Sequence, residues 1–581
     1  MCEKAQTGRK AEMIAEAGFR LAALEDSFRK NLSAIAKGRF VSRFWRRDLS
    51  LWPTYQTRKE PGTEVLKWLD LPQALPATIA NISALAEKLG KQDIRDAVFL
   101  SFGVSGIAAE LLPALDLPTR GARFHILNGI DPLEIRSLEK QVDLRRAVFL
   151  VSSKTGKNLE SHALLLYLLA KVKAAGVTNP ASRFIAITED GSYLAALASE
   201  SRFEAVLSEP YGFQGRFSGV QHYGLLLGGL CALDASRIVS QIEEIRRRCS
   251  VENVEENPAA RTAAFLVAAV ESSYHRLLLR APRKLVPLAA RLAQLVGCST
   301  CKDGSGLLPF LDVQLSDANL GTGRYFVCDV SMPAELSLNL PDCSAPLIPF
   351  EFGSVEEIPA KVFEWEVATS LACSLLEVNP FEDPDYADGR DDAMQYLDQI
   401  SVQKQFETPR PRIVEGNLAL HVESDLRHEV SSLNLEHALS SVFKLCVADG
   451  YCVFLNYLWH LPETKAALTE CADELSAVLS VPVQIASGPR YLQLLGQCYK
   501  GGPRGGVAIL LTCDATERIE IPGAGYSFGD LRMALALGDF DAMNRRSRPI
   551  VRLHLSGAPE SAVEELRALL RKAIKLHARV N

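Results

Sequence analysis

VFLVSSKTGKNLE, residues 148 to 160, decides how this chain is read. The apolar run Val148 to Val151 has the length and composition of a buried strand. It stops abruptly at Ser152, Ser153, Lys154, Thr155 and Gly156, and a helical pattern starts at Leu159. Free backbone N–H groups at a helix start favour an anion, and hydroxyls plus a lysine complete a cradle for phosphate. Strand-to-helix turns also carry Ser and Gly simply because turns need them, so the rest of the chain has to support the cradle.

Outward from this stretch the pattern repeats. Ala97 to Phe102, Phe124 to Leu127, Ala147 to Val151 and Phe184 to Thr188 read as strands separated by helical segments. That alternation is the signature of a parallel α/β sheet, which places ligands at the C-terminal ends of its strands. Residues 258 to 296 read as helical. A second set of strands follows: Arg324 to Val330, Gly450 to Leu455, Val483 to Ala486 and Val507 to Thr512. Before the first set, Ile14, Phe19, Leu21, Leu24, Phe28 and Leu32 give helical periodicity over residues 9 to 38. The acidic, polar zone near Glu252 to Pro258 reads as a linker, and Glu382 to Arg390 as a punctuated loop.

Bulk properties exclude several classes. With 581 residues there is room for more than one core. The net charge of −6 provides no basic field for nucleic acid or an anionic membrane. No apolar run reaches the length of a membrane span, and MCEKAQTGRKAEMIAEAG at the start has no apolar signal core. The 13 cysteines then read as reduced thiols of a cytoplasmic protein. In the last helical segment, Arg571, Lys572, Lys575 and His577 read as a solvated face or as a basic patch for a partner.

Five motifs in order complete the picture: FGVSG (102–106), NGIDP (128–132), SSKTGK (152–157), FQGRFS (213–218) and CSTCKDGSGLLP (298–309). Together they resemble glucose-6-phosphate isomerase, a family built from two sugar-isomerase (SIS) domains. FWRRDLSLW (44–52), NPFEDP (379–384), SGPRYLQLLGQCYKGGP (487–503) and YSFGDL (526–531) look most like the isomerase half of bacterial fusions of transaldolase with that enzyme. The resemblance implies two SIS-type parallel-sheet sandwich domains with helical N- and C-terminal additions. The expected divisions are a helical region over 1–92, a first SIS-type domain over 93–257, a second over 258–545, and a C-terminal strand and helix over 546–581. It also implies interconversion of glucose 6-phosphate and fructose 6-phosphate, with a sugar phosphate as ligand, no cofactor and no metal. A homodimer is the family's usual assembly.

Such a reaction needs a phosphate anchor, a ring-opening acid, a base between C1 and C2, and a cation beside the enediolate. The resemblance puts the anchor at Ser105, Ser153, Lys154 and Thr155. Lys157 and Asn158 replace a family threonine pair; Lys157 either holds phosphate as a point charge or is a solvated loop lysine. Gly215 and Arg216 match the family's substrate glycine and its enediolate-stabilising arginine. The remaining chemical positions differ. Cys298 stands where the family has its glutamate base, and Gln493 where it has the ring-opening histidine. Asp383 replaces a glutamine, and Arg390 replaces an active-site lysine. Asp383 is either a substitute base or an ion-pair partner for Arg216 or Arg390. Cys298 and Cys301 form a CxxC whose readings are redox pair, half metal site, or filler of a site relieved of duty. Two functions follow: an aldose–ketose isomerase with altered acid–base groups, or a catalytically silent sugar-phosphate-binding or regulatory relative.

Overall fold

The strands read around residue 148 form one parallel sheet. The computed structural model describes residues 19–53, 63–209, 212–231, 233–311, 313, 324–332, 345–385, 387–407, 409–430 and 432–580. β1 (Asp96–Leu100), β2 (Arg123–Leu127), β3 (Ala147–Ser152), β4 (Phe184–Glu189) and β5 (Ala205–Glu209) run in the order β2-β1-β3-β4-β5. β3 is buried along its whole length, which is why its sequence is a continuous apolar run. The strand order reverses between β1 and β3. Chain returns after these two strands leave in opposite directions, so a crevice opens at their C-terminal ends.

A second parallel sheet holds β6 (Arg276–Arg280), β7 (Leu308–Leu311), β8 (Tyr325–Ser331) and β9 (Leu347–Glu351), in the order β7-β6-β8-β9. A third holds β10 (Ile413–Glu415), β11 (Leu418–Val422), β12 (Tyr451–Tyr457), β13 (Val483–Ser487), β14 (Gly506–Cys513) and β15 (Ile550–Leu555). Its order is β10-β11-β15-β14-β12-β13, with β15 inside the sheet and antiparallel pairing confined to β10-β11 and β11-β15. The mixed α/β reading with parallel sheets and helical segments holds. The span read as one later α/β unit carries two sheets. The segment 258–296, read as helical, contains β6 between the helices Pro258–Glu271 and Val286–Thr300.

In the N-terminal part, the helix Glu25–Lys37 buries Phe28 and Leu32 as its periodicity requires; Ile14 lies outside the described residues. The motif at 44–52 packs under the later site. Trp52 sits edge-on to Phe381 at 5.0 Å, and Trp68 stacks on Phe217 at 5.2 Å. The basic patch of the last helix shrinks. Arg571 pairs with Glu470 and Glu474, and His577 is buried beside the Ser440 carbonyl.

Candidate active site

At the reversal between β1 and β3 the two strand ends are tied by hydroxyls. Ser105 Oγ lies 2.7 Å from Ser101 Oγ and 2.7 Å from Ser152 Oγ. This places the start of the helix Val104–Ala114 against the end of β3. Gly106 is required there, because a Cβ would come within 2.5 Å of the Ser101 carbonyl oxygen.

The 153–158 turn is built from its own side chains. Ser153 Oγ accepts from the Gly156 N–H, Thr155 Oγ1 accepts from the Lys157 N–H, and Gly156 has φ of +72°. Asn158 is the N-cap of the helix Leu159–Ala174, its Oδ1 accepting from the Ser161 N–H at 2.9 Å. Asn158 is therefore a strong capping residue at this position. Lys154 turns inward, 3.2 Å from Glu189 Oε1 and 3.7 Å above the Phe213 ring. Burial pulls its pKa down, against the pull of Glu189 and Glu209.

These turns line a cavity of about 280 Å³. Ser105, Ser153, Lys154, Thr155 and Asn158 lie on its first-sheet wall. Gly215, Arg216, Cys298, Asp383, Arg390 and Gln493 close it from elsewhere in the chain. Lys157 is exposed outside the lining, and its carbonyl accepts from Arg390. Residues hundreds of positions apart thus meet in one cleft.

Arg216 is buried and heavily engaged. Its Nη1 donates to Asp383 Oδ2 at 2.7 Å, its Nε to Ser299 Oγ at 3.2 Å, and its Nη2 to the carbonyls of Pro380 and Glu382. Gln214 donates to the Phe381 carbonyl, so the 379–383 loop is fastened along the whole 214–216 turn. Asp383 is thus ion-paired with Arg216. Its other oxygen, Oδ1, is buried without a hydrogen-bond partner.

Cys298 lies on the helix Val286–Thr300, one turn after Gln294. Its thiol donates to the Leu494 carbonyl at 3.0 Å, and Gln294 donates to the Gln493 carbonyl at 2.8 Å. The 298 and 493 segments are therefore in direct contact. Cys298, Cys301 and Cys498 are free buried thiols, with Cys498 in side-chain contact with the other two. Among the described residues, no group of three or more His, Cys, Asp or Glu is arranged to hold a metal ion. Nor is any helix among them long and apolar enough to cross a membrane.

No family model matches the chain. Glucose-6-phosphate isomerase from Carboxydothermus hydrogenoformans is 29% identical over 231 residues, covering 37% of this chain and 48% of that protein. The enzyme of the same name from Mycoplasma pneumoniae is 22% identical over 304 residues, covering 50% and 68%. The chain is a distant homologue of glucose-6-phosphate isomerases. The first curated relatives are matched over about half of their length or less. In three dimensions, the Chlamydia trachomatis glucose-6-phosphate isomerase has a TM-score of 0.52 at 13% identity, covering 64% of this chain and 86% of that one; the likeness is one of fold.

Among the cleft residues that the sequence reading did not single out are Glu209 and His222. Glu209 ends β5, and His222 lies on the short helix Gly219–Gly224. Both line the cavity. The available signal was the position of Glu209 at the C-terminal end of a strand, the edge where parallel sheets put ligands. The run Ala205 to Glu209 is short and went unread as a strand.

Proposed function

We propose that the cleft binds a hexose 6-phosphate and catalyses aldose–ketose isomerisation, with glucose 6-phosphate and fructose 6-phosphate as the pair. The observation that carries this reading is convergence. The hydroxyls of Ser105, Ser153 and Thr155 share one cavity with the buried guanidinium of Arg216, at the strand-order reversal of a parallel sheet. Hydroxyls and helix-start N–H groups suit a phosphate, and a fixed cation suits an enediolate. Distant homology to glucose-6-phosphate isomerases supports the same substrate class.

One observation favours the silent relative as a second reading. Arg216 already spends four of its five N–H donors on Asp383, Ser299 and two carbonyls, and the Cys298 thiol is bonded to backbone. A coupled isomerase assay run beside a calorimetric titration with fructose 6-phosphate separates the two. Turnover that disappears in Arg216→Ala supports the enzyme. Binding without turnover supports the silent relative, and neither signal overturns both.

A further inference from the structure

A carboxyl–imidazole pair stands on the wall of the same cleft, outside the positions the resemblance points to. Glu209 is 3% exposed and His222 7%. His222 Nδ1 lies 3.6 Å from Glu209 Oε1, slightly beyond hydrogen-bond length, as apo catalytic contacts often are. Glu209 Oε1 is buried with no hydrogen-bond partner. A buried carboxylate oxygen left this way costs free energy until an imidazole, a water or a ligand hydroxyl reaches it.

The surroundings set the charge of the pair. Lys154, tied to Glu189, faces it from the turn after β3, and Arg291 faces His222 from the helix Val286–Thr300. Burial pushes the Glu209 carboxyl up to about 7, with Lys154 opposing. Burial, then Arg291 and Lys154, push His222 down to about 3. Near neutral pH the imidazole is thus uncharged, and the carboxyl can both hold and release a proton. Efficient proton transfer at carbon calls for a base poised in this way. Neither Gln493 nor the backbone-bonded Cys298 offers one.

We propose that Glu209 is the base of this cleft and that His222 is its positioning residue. The inference rests on the isomerase reading. Ionised Glu209 takes the C2 proton of the open-chain aldose. The C–H electron pair becomes the C1=C2 bond, and the carbonyl pair moves onto O1, giving an enediolate beside Arg216. A proton passes from O2 to O1, the O2 lone pair forms the new carbonyl, and Glu209 returns its proton to C1. Glu209 ends as it began, and no oxidant or reductant is needed.

The test compares wild type with Glu209→Gln, Glu209→Asp and His222→Asn. Three signals are read: calorimetric fructose 6-phosphate binding, turnover against pH, and deuterium wash-in from heavy water at C1 and C2. Glu209→Gln is expected to bind as wild type does, to lose about 10²- to 10⁴-fold in kcat, and to lose wash-in in step. Glu209→Asp, which keeps a carboxyl with shorter reach, retains more turnover than Gln. His222→Asn loses less than Glu209→Gln and moves the pH profile. Wild-type turnover in Glu209→Gln overturns the inference and leaves the isomerase reading standing. Equal loss in the Gln and Asp variants, or lost binding in Gln, also overturns it by making Glu209 structural or ligand-holding. Wild type that binds without turnover overturns the isomerase reading itself, and this inference with it.

Discussion

Arg216 Nη1 meets Asp383 Oδ2 at 2.7 Å inside the cleft, so the cation expected beside the substrate already has a counter-ion. The two come from turns 167 residues apart, and the pair is poorly exposed on both sides. In such a place a neutralising carboxylate matters more than at the surface, because water screens it less.

Asp383→Asn therefore strengthens anion binding. Asparagine keeps an oxygen for Nη1 but removes the negative charge, leaving the guanidinium uncompensated. The expected outcome is a fall of about tenfold in the fructose 6-phosphate dissociation constant, corresponding to roughly 1.4 kcal/mol. The gain is largest at low salt, and the melting temperature falls because a buried ion pair has lost a partner. An unchanged or higher dissociation constant means that Asp383 does not restrain Arg216.

Asn158 separates capping from binding. Its side chain caps the helix Leu159–Ala174 from within the cavity lining. Asn158→Ala costs about 1 kcal/mol of stability through the lost cap. Asn158→Asp caps equally well but adds a negative charge to the cradle. It should melt near wild type while binding inorganic phosphate and fructose 6-phosphate on the order of tenfold more weakly. Melting curves and titrations on the same preparations check both halves.

Gly106→Ala tests the close approach of the two strand ends. In an ordinary helix this change stabilises by about 0.5–1 kcal/mol. Here the new Cβ would lie 2.5 Å from the Ser101 carbonyl oxygen, which is backbone and cannot swing away. Displacing it also pulls on the Ser101–Ser105–Ser152 hydroxyl chain. We expect net destabilisation of about 1–3 kcal/mol and weakened phosphate binding. Gly90→Ala, at a helix end with open space around it, is the control and should be neutral or slightly stabilising.

How much of this was readable in advance follows from what each signal measures. β1, β3 and β4 were legible because strands buried on both faces of a parallel sheet are written as apolar runs. β6, Arg276–Arg280, lies between two apolar helices, and its apolar run of three leucines cannot be told from a helix turn by periodicity. β10 and β11 pair antiparallel at a sheet edge, where burial alternates or ends and the apolar run dissolves. In the cleft, the strand-end turns were legible because their residue types carry the chemistry locally. The Glu209–His222 approach was not, because it is made by tertiary packing between segments that say nothing about one another; an Arg216–Asp383 pair was among the readings open to Asp383, but only tertiary packing chooses Arg216 over Arg390 as its partner. The capping role of Asn158 could have been inferred, since Asn before a helical run is a local signal.

Glu160 makes the cost of buried charge measurable. It is 3% exposed beneath the cradle turn, and burial raises its pKa from about 4.5 to about 7, with a hydrogen bond from its own backbone N–H and then Arg390 opposing. The sign follows from proton counting. Between these two values the folded protein holds a proton that the unfolded chain has released, so stability falls as pH rises through the window. Above the folded pKa the penalty is complete. Glu160→Gln carries no such penalty, so its stability relative to wild type should grow from about pH 5 to about pH 8. The expected increment is on the order of 2 kcal/mol, read as diverging urea midpoints or melting temperatures of the two proteins. His162, whose pKa burial lowers, and the other buried histidines contribute a trend of opposite sign, but they are common to both proteins and cancel in the difference. A difference that shrinks toward high pH would mean that Glu160 is ionised and well compensated in the folded state, with Arg390 outweighing its burial.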